Sequence, residues 1–522
     1  MKKIMISALA VCTLGLFTMC DSLDLTPESS ITDANYWKTD DHFKAFNTGL
    51  HAKIRESSYN LFLLGEPRAN LYCENPPFGG EATQGVERLP YNTLNKENPV
   101  ISNFAGLYKW INQLNLMIDK TSSTAILTED EKNYYLGEAY GLRAWLYFHL
   151  VRSWGDVVLH LQATDGANID IFNLSKPASS AQEVMTQIKS DIAASETAFG
   201  NDNSFKLGRH YWSLPATLML KGEVYLWSGK QMGGGNADLQ TAKTALQQVG
   251  NADVTLVNDF ESVFAFGNKK NKEIIFAIHN QKDEYSLMNG SYSGNMLPQD
   301  TYMILFYDEQ GDSFADEPVA EKQRGLIRFQ LNYDIYDKAY SDNDPRKRST
   351  LKAVYEKNEE GKLVYVAPYA NKFKGTLVDG GSSASMLDDY PVYRYADCLL
   401  QLATIKALLG EDITDEINQI RERAYGTEYF NANRDKVAYP NDTDATFYAG
   451  NKYVGSDADP LEAILKERLR EFMFEGKRWY DLRLLGDPYI YKYSKAEASR
   501  LLWPINEGAL TNNPELVQTP GY

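Results

Sequence analysis

The sequence predicts a mostly α-helical fold, an array of helical hairpins interrupted by a mixed, loop-rich inserted region. Three observations predict it. Apolar residues recur at helical spacing in several long stretches, among them 103–120, where Leu107, Ile111, Leu114 and Ile118 share one face. Three long stretches, 129–156, 212–229 and 395–409, are each followed by a second helical stretch, at 182–199, 239–249 and 415–424. Residues 250–390 break this pattern, with short strand-like runs set between loops rich in Gly, Ser, Asn and Tyr.

Taken in order, the chain opens with Lys2 and Lys3 before an apolar run, 4–19, too short and wrongly flanked for a membrane span; residues 1–19 have the form of a signal peptide. Cys20 follows directly and begins the polar stretch CDSLDLTPESS. A cysteine there is either the acylated first residue of a lipoprotein or an unmodified residue beside a cleaved leader. Residues 20–35 would be the tether, and 36–522 a single domain with an N-terminal part of about 36–250 and a C-terminal part of about 251–522. No later run of 18 apolar residues occurs.

Tyr36-Trp37 is followed by TDDHFKAFNTGLHAKI, in which Thr39 or Asp40 is placed to cap a helix. Residues 57–102 hold no period and are punctuated by Pro, Gly and Asn; a loop this long is functional or disordered, and Tyr72, Phe78 and Tyr91 argue against disorder. In 212–229, Leu220, Gly222 and Tyr225, with Gly229, echo the tetratricopeptide spacing L-G-x-x-Y. Residues 273–279, 351–356 and 362–367 read as short strands or extended runs, and 280–302 has the composition of an adaptable binding loop. In 395–409, Ala396, Ala403 and Ala407 allow close helix approach, and 425–460 is a polar, aromatic-containing insertion.

Residues 461–486, LEAILKERLREFMFEGKRWYDLRLLG, read as one long amphipathic helix belonging to the last hairpin. Glu467 with Arg470, Arg468 with Glu471, Glu475 with Arg478 and Arg478 with Asp481 are each three apart and placed to meet on its surface. Phe472, Met473, Phe474, Trp479 and Tyr480 interrupt every polar face, so some of these pairs must be partly buried.

Composition narrows the function. Apolar content of 43% and charged content of 24% are those of an ordinary folded protein. A net charge of −17 argues against nucleic acid and against adhesion to an anionic membrane surface. Only Cys73 and Cys398 remain for the fold, which is no disulfide framework, and the six histidines show no metal-ligand spacing. No nucleophile elbow, phosphate loop, dinucleotide fingerprint or zinc-protease helix is present. The acid pairs Asp388-Asp389 and Asp457/Asp459 are better read as structural or solvated than as the paired carboxylates of a glycosidase. Thirty-four tyrosines and eight tryptophans supply both core and sugar-stacking faces.

The segment ERLREFMFEGKRWYDLRLLG resembles the C-terminal signature of the SusD/RagB family, with Leu469 and Leu484 where arginine is common. The ending LLWPINEGALTNNPELVQTPGY resembles that family's terminus at Pro504, Ile505, Asn513, Pro514, Leu516, Gln518, Pro520, Gly521 and Tyr522. Residues 142–158 resemble a further family motif, with Val158 in place of a proline. The resemblance implies a SusD-like fold and a non-enzymatic protein lipid-anchored at Cys20, exposed on the outer membrane. Such a protein captures an oligosaccharide or polysaccharide and delivers it to a SusC-like TonB-dependent transporter. It implies no catalytic residue, cofactor or metal, and no nucleic-acid partner. Ligand sites in resembling proteins are built from loops in the regions of 57–102 and 280–302. The candidates there are Arg68, Asn70, Tyr72, Tyr91, Asn92, Tyr285, Tyr292 and Tyr302, with tyrosine rings against sugar C–H faces and Arg and Asn bonding hydroxyls. Peptide capture, surface glycoside hydrolysis and a pure protein-binding scaffold are the alternatives.

Overall fold

A helix that is buried on nearly every side has to be wrapped by others, and the longest helix among the described residues is of that kind over most of its length. The computed structural model describes residues 36–522 apart from 74–84, 86–87, 102–105, 165–173, 285–291, 319–324 and 379–383. Within it α1 (Asp40–Ile54), α2 (Ser58–Gly65) and α3 (Gly106–Ser123) precede that central helix, α4 (Glu129–Trp154). Thr128 and Glu131 form a reciprocal capping box at the start of α4, and Gly155, at φ 81°, ends it. From Gly137 to Trp154 all but one of its residues are buried. The exception, Tyr140, is half-buried.

The hairpins follow. α4 packs on α5 (Ala181–Phe199), and α6 (Leu214–Gln231) on α7 (Gly235–Val249). Two glycines allow close approaches here. A Cβ at Gly141 would sit 2.0 Å from the Trp212 indole nitrogen, and one at Gly222 would sit 2.4 Å from a Leu246 methyl. Gly222 belongs to the tetratricopeptide-like spacing, so that spacing marks a packing contact.

The inserted region contributes β1 (Ile274–Ile278), β2 (Leu351–Lys357), β3 (Leu363–Ala370) and β4 (Tyr390–Arg394). β2 and β3 form an antiparallel hairpin, with Leu351 opposite Ala370. β1 pairs antiparallel with β4, with Ile278 opposite Tyr390. β4 has no counterpart among the strands expected from sequence. It runs straight into α8 (Tyr395–Leu408), which pairs with α9 (Thr414–Tyr425) and packs on both α7 and α10 (Pro460–Phe472). The mostly α-helical fold, a tetratricopeptide-like hairpin array with a mixed insertion, is therefore present.

Two sequence expectations are corrected. The stretch 461–486 is two helices, α10 and α11 (Arg478–Leu485), separated by a turn in which Phe474 has φ 73° and Gly476 φ 70°. The cause lies far away in the chain: the Glu66 carboxylate accepts from the backbone N–H of Phe474 at 2.6 Å and of Gly476 at 2.8 Å. The loop expected over 57–102 contains α2, whose run SYNLFLLG is buried on most sides and so shows no amphipathic period. α2 meets the 474–476 turn so closely that a Cβ at Gly65 would fall 1.6 Å from the Gly476 carbonyl. Cys398 is buried, Cys73 half-buried, and they form no disulfide.

The charges of α10 and its turn are buried as the sequence required, but with other partners. Of the four expected pairs only Glu467 with Arg470 forms, at 3.7 Å. Glu471 instead meets Arg346 at 3.2 Å and Arg394 at 3.1 Å and also pairs with Arg423. Glu475 meets Lys372 at 2.8 Å and Arg394 at 2.9 Å. Glu467 joins Arg346 and Arg421, each at 3.0 Å. Burial alone would raise the Glu471 carboxyl, but Arg423, Arg394 and Arg346 outweigh it and hold it at about 2. The network ties the insertion, α9 and α10 into one core.

Candidate ligand-binding cleft

The β1–β4 pairing has a consequence at the surface. It sets Asp389, just before β4, beside His279, just after β1, at 3.0 Å. The backbone N–H of Ala277 donates to the Arg209 carbonyl at 3.0 Å, which brings residues 209–211 alongside. The end of α1 closes the third side, the Tyr211 hydroxyl meeting the Thr48 hydroxyl at 3.2 Å. These pieces enclose a cleft of about 390 Å³.

Its lining is basic. Arg55, Arg209, Lys269 and Lys270 face Glu284 and Asp389, an excess of cations on a chain of net charge −17. Arg55 pairs with Glu284 at 3.0 Å and Lys269 with Asp389 at 2.8 Å. Arg209 is fixed by donating to the carbonyls of Ile274 and Asp253. Burial works against the Asp389 charge, but His279 and Lys269 outweigh it and hold the carboxyl below its usual range. Lys270 is exposed at the rim.

Three of the six histidines meet here, His51, His210 and His279. His210 stacks on His279 with centroids 4.9 Å apart, and His51 lies 4.7 Å from the Tyr211 ring. His51 accepts from the Trp212 backbone N–H at 3.1 Å, so its proton sits on Nδ1, toward the Asn47 carbonyl. Burial lowers His51 to about 4, which keeps it neutral. Among the described residues no group of three or more His, Cys, Asp or Glu is arranged to hold a metal. The cleft offers hydrogen-bond donors and acceptors and aromatic ring faces, suited to a polyhydroxylated ligand.

Beneath the floor lies Glu138, fully buried, accepting from Asn47 at 2.5 Å, with Oε1 lacking a hydrogen-bond partner. Burial raises its carboxyl to about 8, against the opposing bonds of Asn47 and Tyr134. A folded-state value above the ordinary 4.5 means that the neutral acid stabilises the fold fully below pH 4.5, and that this contribution is lost as pH rises toward 8. Glu138→Gln keeps an acceptor for Asn47 and removes the titration. Melting curves at pH 5 and pH 8 should show a smaller alkaline decline in the variant than in the parent; equal declines would contradict the assignment.

Among the described residues, none of the sequence's candidates lines this cleft. Arg68 is 1% exposed and lies 4.5 Å from the Trp479 ring. It donates to Asn92 at 2.8 Å and to the carbonyls of Arg500, Leu501 and Leu502. It clamps the C-terminal segment. Asn92, also buried, adopts φ 54° and bonds back to the Arg68 carbonyl at 3.2 Å. Tyr72 packs on Phe329, and Tyr292 on Phe62 and Phe373, and both rings are buried in the core, not at the surface expected of the loops. Asn70 donates to the Lys452 carbonyl, Tyr91 is half-buried, and Tyr302 is exposed but elsewhere. Tyr285 lies outside the described residues. The run Arg209-His210-Tyr211, in the loop just before the helix expected at 212–229, is the local signal for the cleft, because loops held by a rigid scaffold carry binding residues.

Comparison with known proteins adds the family. The model described as "SusD family" matches residues 260–483, and "Starch-binding associating with outer membrane" matches 82–210. The chain is 62% identical to the solved structure of B. fragilis NanU, over 95% of this chain and 99% of that one, with a TM-score of 0.90. It is 59% identical to a SusD superfamily protein of Bacteroides vulgatus ATCC 8482, over 93% and 100%, with a TM-score of 0.89. SusD-like protein P38 of Formosa agariphila is 25% identical over 100% of this chain and 99% of its own length.

Proposed function

We propose that this chain, which belongs to the SusD family, captures an oligosaccharide carrying an acidic group and delivers it to a SusC-like TonB-dependent transporter. The observation that carries the ligand reading is the cation excess of the cleft, set on a strongly acidic chain. A sugar acid would meet Lys270 and the histidine pair, while its hydroxyls would exchange bonds with the polar walls. The matched description, starch-binding and associating with the outer membrane, supports a glycan ligand and an outer-membrane setting. Among the described residues no helix is long and apolar enough to cross a membrane; attachment through acylated Cys20 is the route we propose.

Titration calorimetry with paired sugars tests the ligand: sialyllactose against lactose, trigalacturonate against a neutral trisaccharide. At least one acidic member should bind ten times more tightly or better than its neutral partner. Equal affinities, or binding of peptides alone, would overturn the reading. The bound sugar should be recovered unchanged after long incubation, and steady release of product by pure protein would make the chain an enzyme. Cys20→Ala should abolish labelling by a palmitate analogue and release the protein from the outer membrane; persistent labelling would place the anchor elsewhere.

A further inference from the structure

We propose that His210 is the specificity-determining residue of the cleft: stacked on His279, with no hydrogen bond to either ring nitrogen among the described residues, it bonds the acidic group of the glycan and takes up one proton from solvent as it does so. This rests on the reading of the cleft as an acidic-glycan site.

The neighbouring histidines are already committed. His51 has both ring nitrogens engaged, by the Asn47 carbonyl and the Trp212 N–H. His279 donates through Nδ1 to Asp389, and its Nε2 lies 3.4 Å from Gln281. Among the described residues the His210 side chain makes ring contacts, at 4.9 Å to His279 and 4.8 Å to Tyr211, and no hydrogen bond. Its nitrogens are the ones left to read a ligand.

The surroundings set its charge. Burial lowers His210 to about 4, and His279 adds to this by disfavouring a second cation in the stack. Asp389 acts the other way, and Lys270 and Lys269 push down again. The remaining charges around the cleft are Arg209 beside it in sequence, Arg55 after α1, and Glu284, already paired with Arg55. Without ligand, His210 is therefore neutral at pH 7. An anion within hydrogen-bond reach favours the protonated ring and moves its titration upward. Binding is then linked to proton uptake, and affinity rises as pH falls from the bound-state value toward about 4, at most about tenfold per pH unit for one proton. A neutral sugar lacks this link, so the histidine discriminates more strongly as the medium acidifies.

Calorimetry at pH 5, 6 and 7, in buffers of different ionisation enthalpy, with sialyllactose and trigalacturonate as probes and lactose as control, reads both affinity and protons. The acidic probe that binds should tighten several-fold from pH 7 to pH 5 with net proton uptake, and His210→Gln should abolish slope and uptake. His279→Gln is the second variant: with the stacked ring gone, the His210 ring resonance in the ligand-free protein should titrate at higher pH than in the parent. Binding of an acidic probe with no pH dependence, or a slope that persists in His210→Gln, overturns this inference alone. Failure of both acidic probes to bind overturns the cleft reading and this inference with it. A ligand-free His210 titrating near 6.5 overturns the description of the stack.

Discussion

Replacing Glu471 by Gln is expected to destabilise the fold by about 3–5 kcal/mol, because it leaves buried guanidinium groups without their counter-charge. Three arginines, Arg346, Arg394 and Arg423, converge on this carboxylate, and all four side chains are almost wholly buried. A domain's net stability is roughly 5–15 kcal/mol, so the loss is a large share of it. The pH dependence follows with its sign. Glu471 is held at about 2 in the fold against an ordinary 4.5, so its contribution is present above pH 4.5 and is lost as pH falls toward 2. Urea midpoints at pH 7 should fall sharply in the variant, and the gap between variant and parent should narrow below pH 4. For comparison, Lys362→Ala removes a pair with Glu360 whose side chains are 75% and 70% exposed, and should change stability little. An unchanged midpoint for Glu471→Gln would mean that the network relaxes around a neutral side chain.

That network also shows what the sequence could and could not convey. The helical periods of 103–120, 129–156 and 212–229 are local properties and predict their elements to within a few residues. The interleaving of charged and aromatic residues in 461–486 makes buried ion pairs necessary, yet their partners lie up to 125 residues away, as Arg346 does from Glu471. Spacing along one helix cannot reveal such partners. The break between α10 and α11 is dictated by Glu66, again from a distant segment. The cleft was hidden for the same reason: His51, His210 and His279 are scattered in sequence and meet only through the β1–β4 pairing. Long irregular segments suggested exposure, which put Arg68, Tyr72, Asn92 and Tyr292 among the ligand candidates; each is buried because α2 and its neighbours fold inward against the C-terminal turn. Tyr72→Ala and Tyr292→Ala are accordingly core truncations.

Trp479→Ala is expected to cost about 3–5 kcal/mol through the cavity it opens. The indole is fully buried at the second position of α11, in the main core cluster, and the Arg68 guanidinium lies 4.5 Å from its ring. Truncation therefore removes packing and also withdraws one aromatic face from a buried cation, which is held besides by Asn92, by the carbonyls of residues 500–502, by Tyr522 and by the Trp503 ring. The melting temperature should drop steeply, and any loss of glycan binding should follow the unfolded fraction, vanishing when binding is measured well below the transition. Lys270→Ala should behave in the opposite way. Lys270 is exposed at the rim of the cleft, so its removal leaves the core untouched while withdrawing a cation from an acidic ligand. Its melting temperature should stay within a degree or two of the parent's, with affinity for the acidic sugar reduced several-fold and steeper losses at low salt, where its charge is least screened. Should Trp479→Ala lose binding while still fully folded, the C-terminal core would itself be part of the site; should Lys270→Ala bind the acidic sugar as the parent does, the cations of the cleft would not be what recognises it.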